Sequence, residues 1–120
     1  MLKREWQRFC RRAVWSWAGW LECWRNEHSL QQWIWANVVS AGFALWLPLT
    51  PGERALILAL GVLVLAAELM NTAVERVVDY ISTEHHELAR QAKDLASAAV
   101  AMTAIAAGVA WLAILWGQWR

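Results

Sequence analysis

The chain has 120 residues, which is enough for one domain and too few for two. Apolar residues make up 59% of it, whereas the charged residues are confined to a few short blocks. This separation is typical of a chain that uses lipid as its solvent, and it argues against a fully water-soluble domain. The net charge of +1 gives no reason to expect nucleic acid as a partner.

Residues 1–30 mix basic and indole side chains at helical spacing. This mixture predicts an amphipathic helix that lies in the headgroup layer of a membrane without crossing it. A soluble helix is the alternative, but so many exposed indoles would be hard to keep soluble. Cys10 and Cys23 in this segment are expected to be ordinary reduced thiols. The basic and aromatic residues are Lys3, Arg4, Arg8, Arg11, Arg12, Arg25, Trp6, Phe9, Trp15, Trp17, Trp20 and Trp24.

Three apolar stretches follow, at about residues 33–49, 55–81 and 95–116. Pro48, Pro51 and Gly52 predict a tight turn between the first two. A hydrophilic connection, residues 82–94, separates the last two. Ala104 and Gly108 have the spacing of a close helix–helix contact in a membrane. The sequence therefore predicts an all-α fold, in which residues 1–120 form one integral membrane domain with an interfacial helix and a three-helix bundle.

The positive charges predict the orientation in the membrane. Six of them lie in residues 1–30, and Arg90 and Lys93 lie in the 82–94 connection, whereas the opposite side has only Arg54 and Arg120. By the positive-inside rule, the N-terminus and the 82–94 connection are cytoplasmic and the C-terminus lies outside.

One face of the second apolar helix carries the residues Glu68, Asn71, Glu75 and Asp79. Helical geometry places them within an arc of roughly 80° along roughly 16 Å of axis. An ionisable group at the depth of Glu68 is costly in lipid and is usually functional. This polar ridge would run from the depth of lipid hydroxyls to that of water-soluble nucleotides, where a base and a metal site are needed if a lipid hydroxyl attacks ATP. The alternative is a set of polar residues that only hold helices together.

The 82–94 connection supplies the positive charge that the polar ridge lacks. A lysine such as Lys93 can hold a phosphate as a point charge, while Asp94 is a candidate cap for the third span. The neighbouring histidines, His85 and His86, are poorly spaced for a shared metal ion. The chain contains neither a Walker A sequence nor a kinase-type glycine-rich loop, so a carboxylate–metal site is the remaining means of handling phosphate.

The segments 68–79 and 84–100, with Ser16–Gly19 and Trp24–Glu27, closely resemble the prokaryotic diacylglycerol kinase family over nearly the whole chain. The resemblance implies a homotrimer with three spans and a surface helix per subunit, and with active sites shared between subunits. It implies transfer of the ATP γ-phosphate to diacylglycerol, giving phosphatidic acid, with Mg²⁺ and in the bacterial inner membrane.

The resemblance also assigns roles to individual residues. Glu68 would be the general base, supported by Asn71, and Glu27 and Glu75 would hold the metal. The nucleotide contacts would be Arg8, Trp15, Glu27, Glu75, Glu84, His86, Lys93 and Asp94. The lipid site would comprise Trp17, Gly19, Trp24, Glu68, Ser97 and Trp111.

The chain departs from the family pattern at a few positions. The family usually has Phe-Arg-x-Glu after its Asn-Glu pair, where this chain has Leu30-Gln31-Gln32-Trp33, and basic residues common in the surface helix are replaced by Ala18 and Leu21. A polyprenol alcohol is the alternative acceptor, as in the related undecaprenol kinases, and a non-catalytic membrane scaffold is the alternative class.

Overall fold

The computed structural model describes all 120 residues, as four α-helices and no strand. In chain order these are α1 (Leu2–Asn26), α2 (His28–Trp46), α3 (Pro51–Ile81) and α4 (Glu87–Trp119). Helix α3 packs along α4 and α2, whereas α1 meets α2 and α3 over a short stretch. The chain measures 53 × 46 × 25 Å, and α4 by itself is about 50 Å long at 1.5 Å per residue.

The outer faces of α3 and α4 are apolar. Both helices are long and apolar enough to cross a membrane. Only 12 of 120 residues are buried, and large side chains such as Leu63 on α3 and Leu112 on α4 point outward. A water-soluble monomer rarely exposes so much continuous apolar surface. The all-α prediction is therefore confirmed, and α3 and α4 have the length and composition of two of the three predicted spans. The membrane crossings themselves, the span through α2, the amphipathic character of α1 and the trimer stay predictions.

The break between α1 and α2 falls at Glu27, whose backbone is extended (φ −119°, ψ 107°). This residue ends α1 and precedes the first turn of α2, so the N-terminal helix stops at Asn26, short of the predicted residue 30. Leu30, in the first turn of α2, is completely buried. Gln31 Nε2 donates a hydrogen bond to the Trp24 carbonyl across the break (2.8 Å), which fixes α2 against the end of α1.

The predicted turn between the first two spans lies between Trp46 and Pro51. Thr50 and Glu53 form a reciprocal capping box at the start of α3, and Pro51 takes the first helical position. Arg54 reaches back to two carbonyls at the end of α2, where Nε donates to Ala44 O (2.8 Å) and Nη2 to Leu47 O (3.3 Å). The turn therefore supplies hydrogen-bond partners to backbone groups at both helix ends.

The hydrophilic connection predicted over residues 82–94 is helical in its second half. Only residues 82–86 lie outside the helices, because His86 Nδ1 accepts a hydrogen bond from Leu88 N (3.1 Å) and starts α4 there. Arg90 then pairs with Glu87 and with Asp94, one turn away on either side. Such pairs stabilise a hydrophilic helix. Asp94 is accordingly inside α4 and does not cap it.

Gly61 on α3 lies directly against the Asn37 side chain of α2. A Cβ atom at this position would lie 2.1 Å from Asn37 Oδ1, and Asn37 Nδ2 donates to the Trp33 carbonyl (3.0 Å). The Asn37 side chain therefore cannot stay in place if residue 61 has a side chain.

We expect Gly61→Ala to lower the free energy of unfolding in detergent micelles by about 1–3 kcal/mol, because Asn37 has to move. Gly42→Ala on α2 is the matched control, since its new Cβ meets nothing within 4 Å and alanine favours a helix. Adding Asn37→Ala to Gly61→Ala should restore much of the loss. An unchanged unfolding midpoint in Gly61→Ala would show that α2 and α3 accommodate the added methyl group without loss of stability.

Cys23 lies between α1 and α3. It is 4% exposed, and its Sγ donates to Thr72 Oγ1 (3.8 Å). Burial is the main reason that the pKa of the Cys23 thiol is raised above its usual value. Cys10, by contrast, is half-buried.

Because the thiolate is the reacting form, iodoacetamide at pH 7 should alkylate Cys23 at least about tenfold more slowly than Cys10. The Cys23 rate should keep rising as the pH is increased, because the thiolate forms only above the raised pKa. Mass mapping of the labelled peptides measures both rates, and the variants Cys10→Ser and Cys23→Ser identify each signal. Equal rates at pH 7 would mean that α1 does not pack on α3 through this residue.

Candidate active site

The residues of the polar ridge on α3 show a gradient of burial. Glu68 is 3% exposed and Asn71 is 9% exposed, Glu75 is half-buried and Asp79 is exposed. Asn71 Nδ2 donates to Glu75 Oε1 (3.3 Å), so these two side chains lie side by side one turn apart. The ridge thus leads from an enclosed carboxylate to open solvent.

Glu68 has one hydrogen-bond partner, the hydroxyl of Ser29 in the first turn of α2. Ser29 Oγ donates to Glu68 Oε1 at 2.5 Å. The second carboxylate oxygen, Oε2, accepts no hydrogen bond and is not among the fully enclosed unpaired atoms. Glu68 is therefore held through one oxygen and has the other free to accept a proton or a hydrogen bond.

Asn71 Oδ1 is the one fully enclosed side-chain polar atom that lacks a hydrogen-bond partner. Leaving a buried carbonyl oxygen unpaired costs about 1–3 kcal/mol, which makes this atom a candidate contact for a ligand. It lies one helical turn from Glu68 and beside Glu75. The ridge therefore offers adjacent carboxylate and amide oxygens, the donor types that Mg²⁺ prefers.

Arg76 ties the break between α1 and α2 to α3. Its Nη2 donates to Glu27 Oε1 (3.2 Å) and its Nη1 to Glu22 Oε1 (3.4 Å). Glu27 therefore lies next to Arg76, the residue that follows Glu75 in the chain. The chain has no group of three or more His, Cys, Asp or Glu side chains that could hold a metal ion by themselves. Mg²⁺, however, commonly uses only one or two carboxylates together with substrate phosphates, and Glu27 and Glu75 are carboxylates of this kind.

A polar cleft of about 280 Å³ opens where α3 ends and α4 begins. Three predicted nucleotide contacts, Glu84, His86 and Lys93, line it together with Asp79 and Arg90. Lys93 Nζ donates to Asp79 Oδ1 (2.7 Å) across the cleft. Asp94 lies one turn along α4 from Arg90 and accepts a hydrogen bond from Arg90 Nη1 (2.6 Å). The structure therefore brings the Asp79 end of the ridge and the basic residues of α4 into one cleft.

Other predicted site residues lie apart from this cleft within a single chain. Arg8 is exposed on α1 and pairs with Glu5 (3.0 Å), and Trp15, Trp17 and Ser97 are exposed as well. Trp111 is half-buried near the far end of α4, where Nε1 donates to Ser40 Oγ (2.9 Å). The single chain therefore does not assemble the complete set of residues that the sequence pointed to.

Gly19 lines a second cleft, of about 400 Å³, between α1 and α3. Cys23, Thr72 and Arg76 line the same cleft. Trp24 is partly exposed at the end of α1, and its carbonyl accepts the bond from Gln31. Of the α1 residues predicted for the lipid site, Gly19 is thus the one that lines this cleft.

Sequence reasoning missed Ser29 and assigned Arg76 no role in the site. Both act across helices, from 39 positions away in the chain for Ser29–Glu68 and 49 for Arg76–Glu27. Ser29 belongs to no periodic pattern or motif, and Arg76 lies in the 68–79 segment but is not one of its ridge residues. Only their position in the sequence could have suggested a role, because Glu27 separates α1 from α2 and Ser29 is the second residue of α2.

Comparisons with known proteins show which family the chain resembles. Residues 14–115 match the family model described as prokaryotic diacylglycerol kinase. The diacylglycerol kinase of Pseudomonas aeruginosa is 44% identical over 104 residues, which cover 85% of this chain and 83% of the relative. That of Escherichia coli is 37% identical over 111 residues, covering 92% and 91%, and that of Haemophilus influenzae is 37% identical over 91 residues, covering 76% and 77%. The chain therefore belongs to the prokaryotic diacylglycerol kinase family of membrane lipid kinases.

Proposed function

We propose that this chain transfers the γ-phosphate of ATP to the hydroxyl of diacylglycerol, giving phosphatidic acid at the cytoplasmic face of the bacterial inner membrane. The observation that carries the proposal is the burial gradient of the α3 ridge, from Glu68 at 3% exposure to the open cleft at Asp79. A lipid hydroxyl approaches from the membrane and a nucleotide from water. The ridge connects these two environments.

Glu68 serves as the general base in this proposal. Its free oxygen, Oε2, accepts the proton of the lipid hydroxyl as the hydroxyl oxygen attacks the γ-phosphorus and ADP departs. Asn71 lies one turn away with its Oδ1 unpaired, where it orients the lipid hydroxyl or the phosphate it attacks. Burial keeps competing water away from the transfer.

The cleft between α3 and α4 holds the nucleotide. Lys93 attracts the phosphates as a point charge, and it exchanges its contact with Asp79 (2.7 Å) for the more highly charged ligand. Glu84, His86 and Asp94 contact the rest of the nucleotide. Glu27 and Glu75 would hold Mg²⁺, which when bound offsets the negative charge of the phosphates.

The membrane arrangement follows the sequence-based expectations. Helices α2, α3 and α4 span the bilayer with the N-terminus in the cytoplasm, and α1 lies in the interface. Trp17, Gly19, Trp24, Ser97 and Trp111 face the lipid substrate. Because Arg8 and Trp15 lie apart from the cleft of their own chain, we place them in the nucleotide site of a neighbouring subunit of a homotrimer.

The test of the function is a transfer assay. Purified full-length protein, reconstituted in vesicles that contain diacylglycerol, should make labelled phosphatidic acid from γ-labelled ATP and Mg²⁺, and thin-layer chromatography detects the product. Parallel vesicles that contain undecaprenol in place of diacylglycerol should give at most a few per cent of that rate. A reversed preference would assign the chain to polyprenol phosphorylation, and no transfer to either lipid would favour a scaffold.

We expect Glu68→Gln to lower kcat at least about a hundredfold, because the amide cannot accept the proton. The variant should still assemble and bind Mg-ATP, since glutamine keeps the shape of the side chain and can accept the Ser29 hydrogen bond. Glu53→Gln, on the same helix but in the capping box at its other end, is the matched control and should keep the wild-type rate. Near-normal turnover in Glu68→Gln would remove this residue from the role of base.

A further inference from the structure

Ser29 occupies a particular place relative to the ridge. It is the second residue of α2, and its hydroxyl is the only group that donates a hydrogen bond to the Glu68 carboxylate. The remaining oxygen of Glu68 has no partner. The geometry of the carboxylate thus depends on one side chain from another helix.

Ser29 is itself held firmly. The next residue, Leu30, is completely buried, and the one after that, Gln31, donates to the Trp24 carbonyl (2.8 Å). The extended backbone of Glu27 precedes it, and Arg76 anchors the Glu27 carboxylate to α3 (3.2 Å). Because contacts on both sides fix the start of α2, the Ser29 hydroxyl is presented to Glu68 from a constrained backbone.

The first turn of α2 also favours a carboxylate electrostatically. Its cap residue, Glu27, makes no side-chain hydrogen bond to the free N–H groups of this turn, and the start of a helix carries a partial positive charge. The bond from Ser29 brings the negative Glu68 side chain to this end of α2. An opposite partial charge nearby offsets part of the cost of keeping a carboxylate away from water.

We propose that Ser29 is a positioning residue for Glu68, an inference that rests on the proposed function. By binding Oε1 it fixes the carboxylate so that Oε2 faces the lipid hydroxyl, and it prevents the side chain from rotating towards the neighbouring ridge residues. Ser29 then acts on the orientation of the base, while neither substrate touches it. Loss of the hydroxyl should consequently slow transfer without weakening substrate binding.

The experiment uses full-length protein in diacylglycerol vesicles and compares Ser29→Ala with Ser29→Thr. Ser29→Ala should lower kcat about tenfold, the effect of one lost hydrogen bond to a charged group, while KM for ATP and for diacylglycerol changes less than about twofold. Ser29→Thr keeps the hydroxyl on an exposed residue, and it should recover most of the rate. His28→Ala alters the adjacent exposed residue, which makes no side-chain hydrogen bond, and it should leave kcat unchanged.

A purely structural role of Ser29 predicts different results. In that case Ser29→Ala would lower the thermal unfolding midpoint in micelles along with the active fraction, and kcat per active site would not change. Glu68→Asp separates the two ideas further, because the shorter side chain withdraws the carboxylate from Ser29. Adding Ser29→Ala to Glu68→Asp should then slow single-turnover transfer no further, whereas multiplied effects would show that Ser29 acts elsewhere.

The failure of this inference differs from the failure of the proposed function. If the wild type phosphorylates diacylglycerol and Ser29→Ala matches it in kcat, or if Ser29→Thr gives no recovery, Ser29 is not a positioning residue and the function stands. If the wild type makes no phosphatidic acid at all, both proposals fail together.

Discussion

The structure depends on one constraint, the placement of a carboxylate within an apolar helix. Glu68 lies inside α3, where the apolar stretch that begins at Ala55 meets the polar ridge, and 3% of its surface is exposed. An isolated carboxylate away from water costs several kcal/mol, so the neighbouring elements have to supply donors and opposite charge. The extended backbone at Glu27 lets α2 begin with Ser29 against Glu68, and Arg76 keeps that break in place. The same contacts therefore fix both the Glu68 carboxylate and the junction of α1 and α2.

The helices could be predicted well because the lengths of the apolar stretches and the turn-forming residues between them determine where helices lie. Pro48, Thr50 and Pro51 indicated the turn before α3, and the capping box explains why that helix begins four residues before the apolar run at Ala55. The start of α4 was harder to predict. Residues 87–94 are hydrophilic and look like a loop by hydropathy, yet the pairs of Arg90 with Glu87 and Asp94 make them helical.

The ridge on α3 could also be predicted, because four polar residues at helical spacing need only one helix to share a face. What could not be predicted is which residues of other helices meet it. The Ser29–Glu68 and Arg76–Glu27 contacts depend on how α1, α2 and α3 pack against one another. No local sequence pattern predicts that packing. The resemblance to a family supplied roles for Arg8, Trp15 and Trp111 but not their distances, and within one chain these residues do not meet the cleft.

The separation of the predicted residues has a physical consequence. The two basic residues that line the α3–α4 cleft are both paired, Lys93 with Asp79 and Arg90 with Glu87 and Asp94, so the cleft has little unpaired positive charge for a triphosphate. Extra cations have to come from a metal, from another subunit or from both. Helix α1 carries unpaired arginines at Arg4, Arg11 and Arg12 and contacts the rest of its chain mainly near its end. In the homotrimer proposed above, a helix that is rich in positive charge but lightly attached to its own bundle would supply that charge to the site of the adjacent subunit.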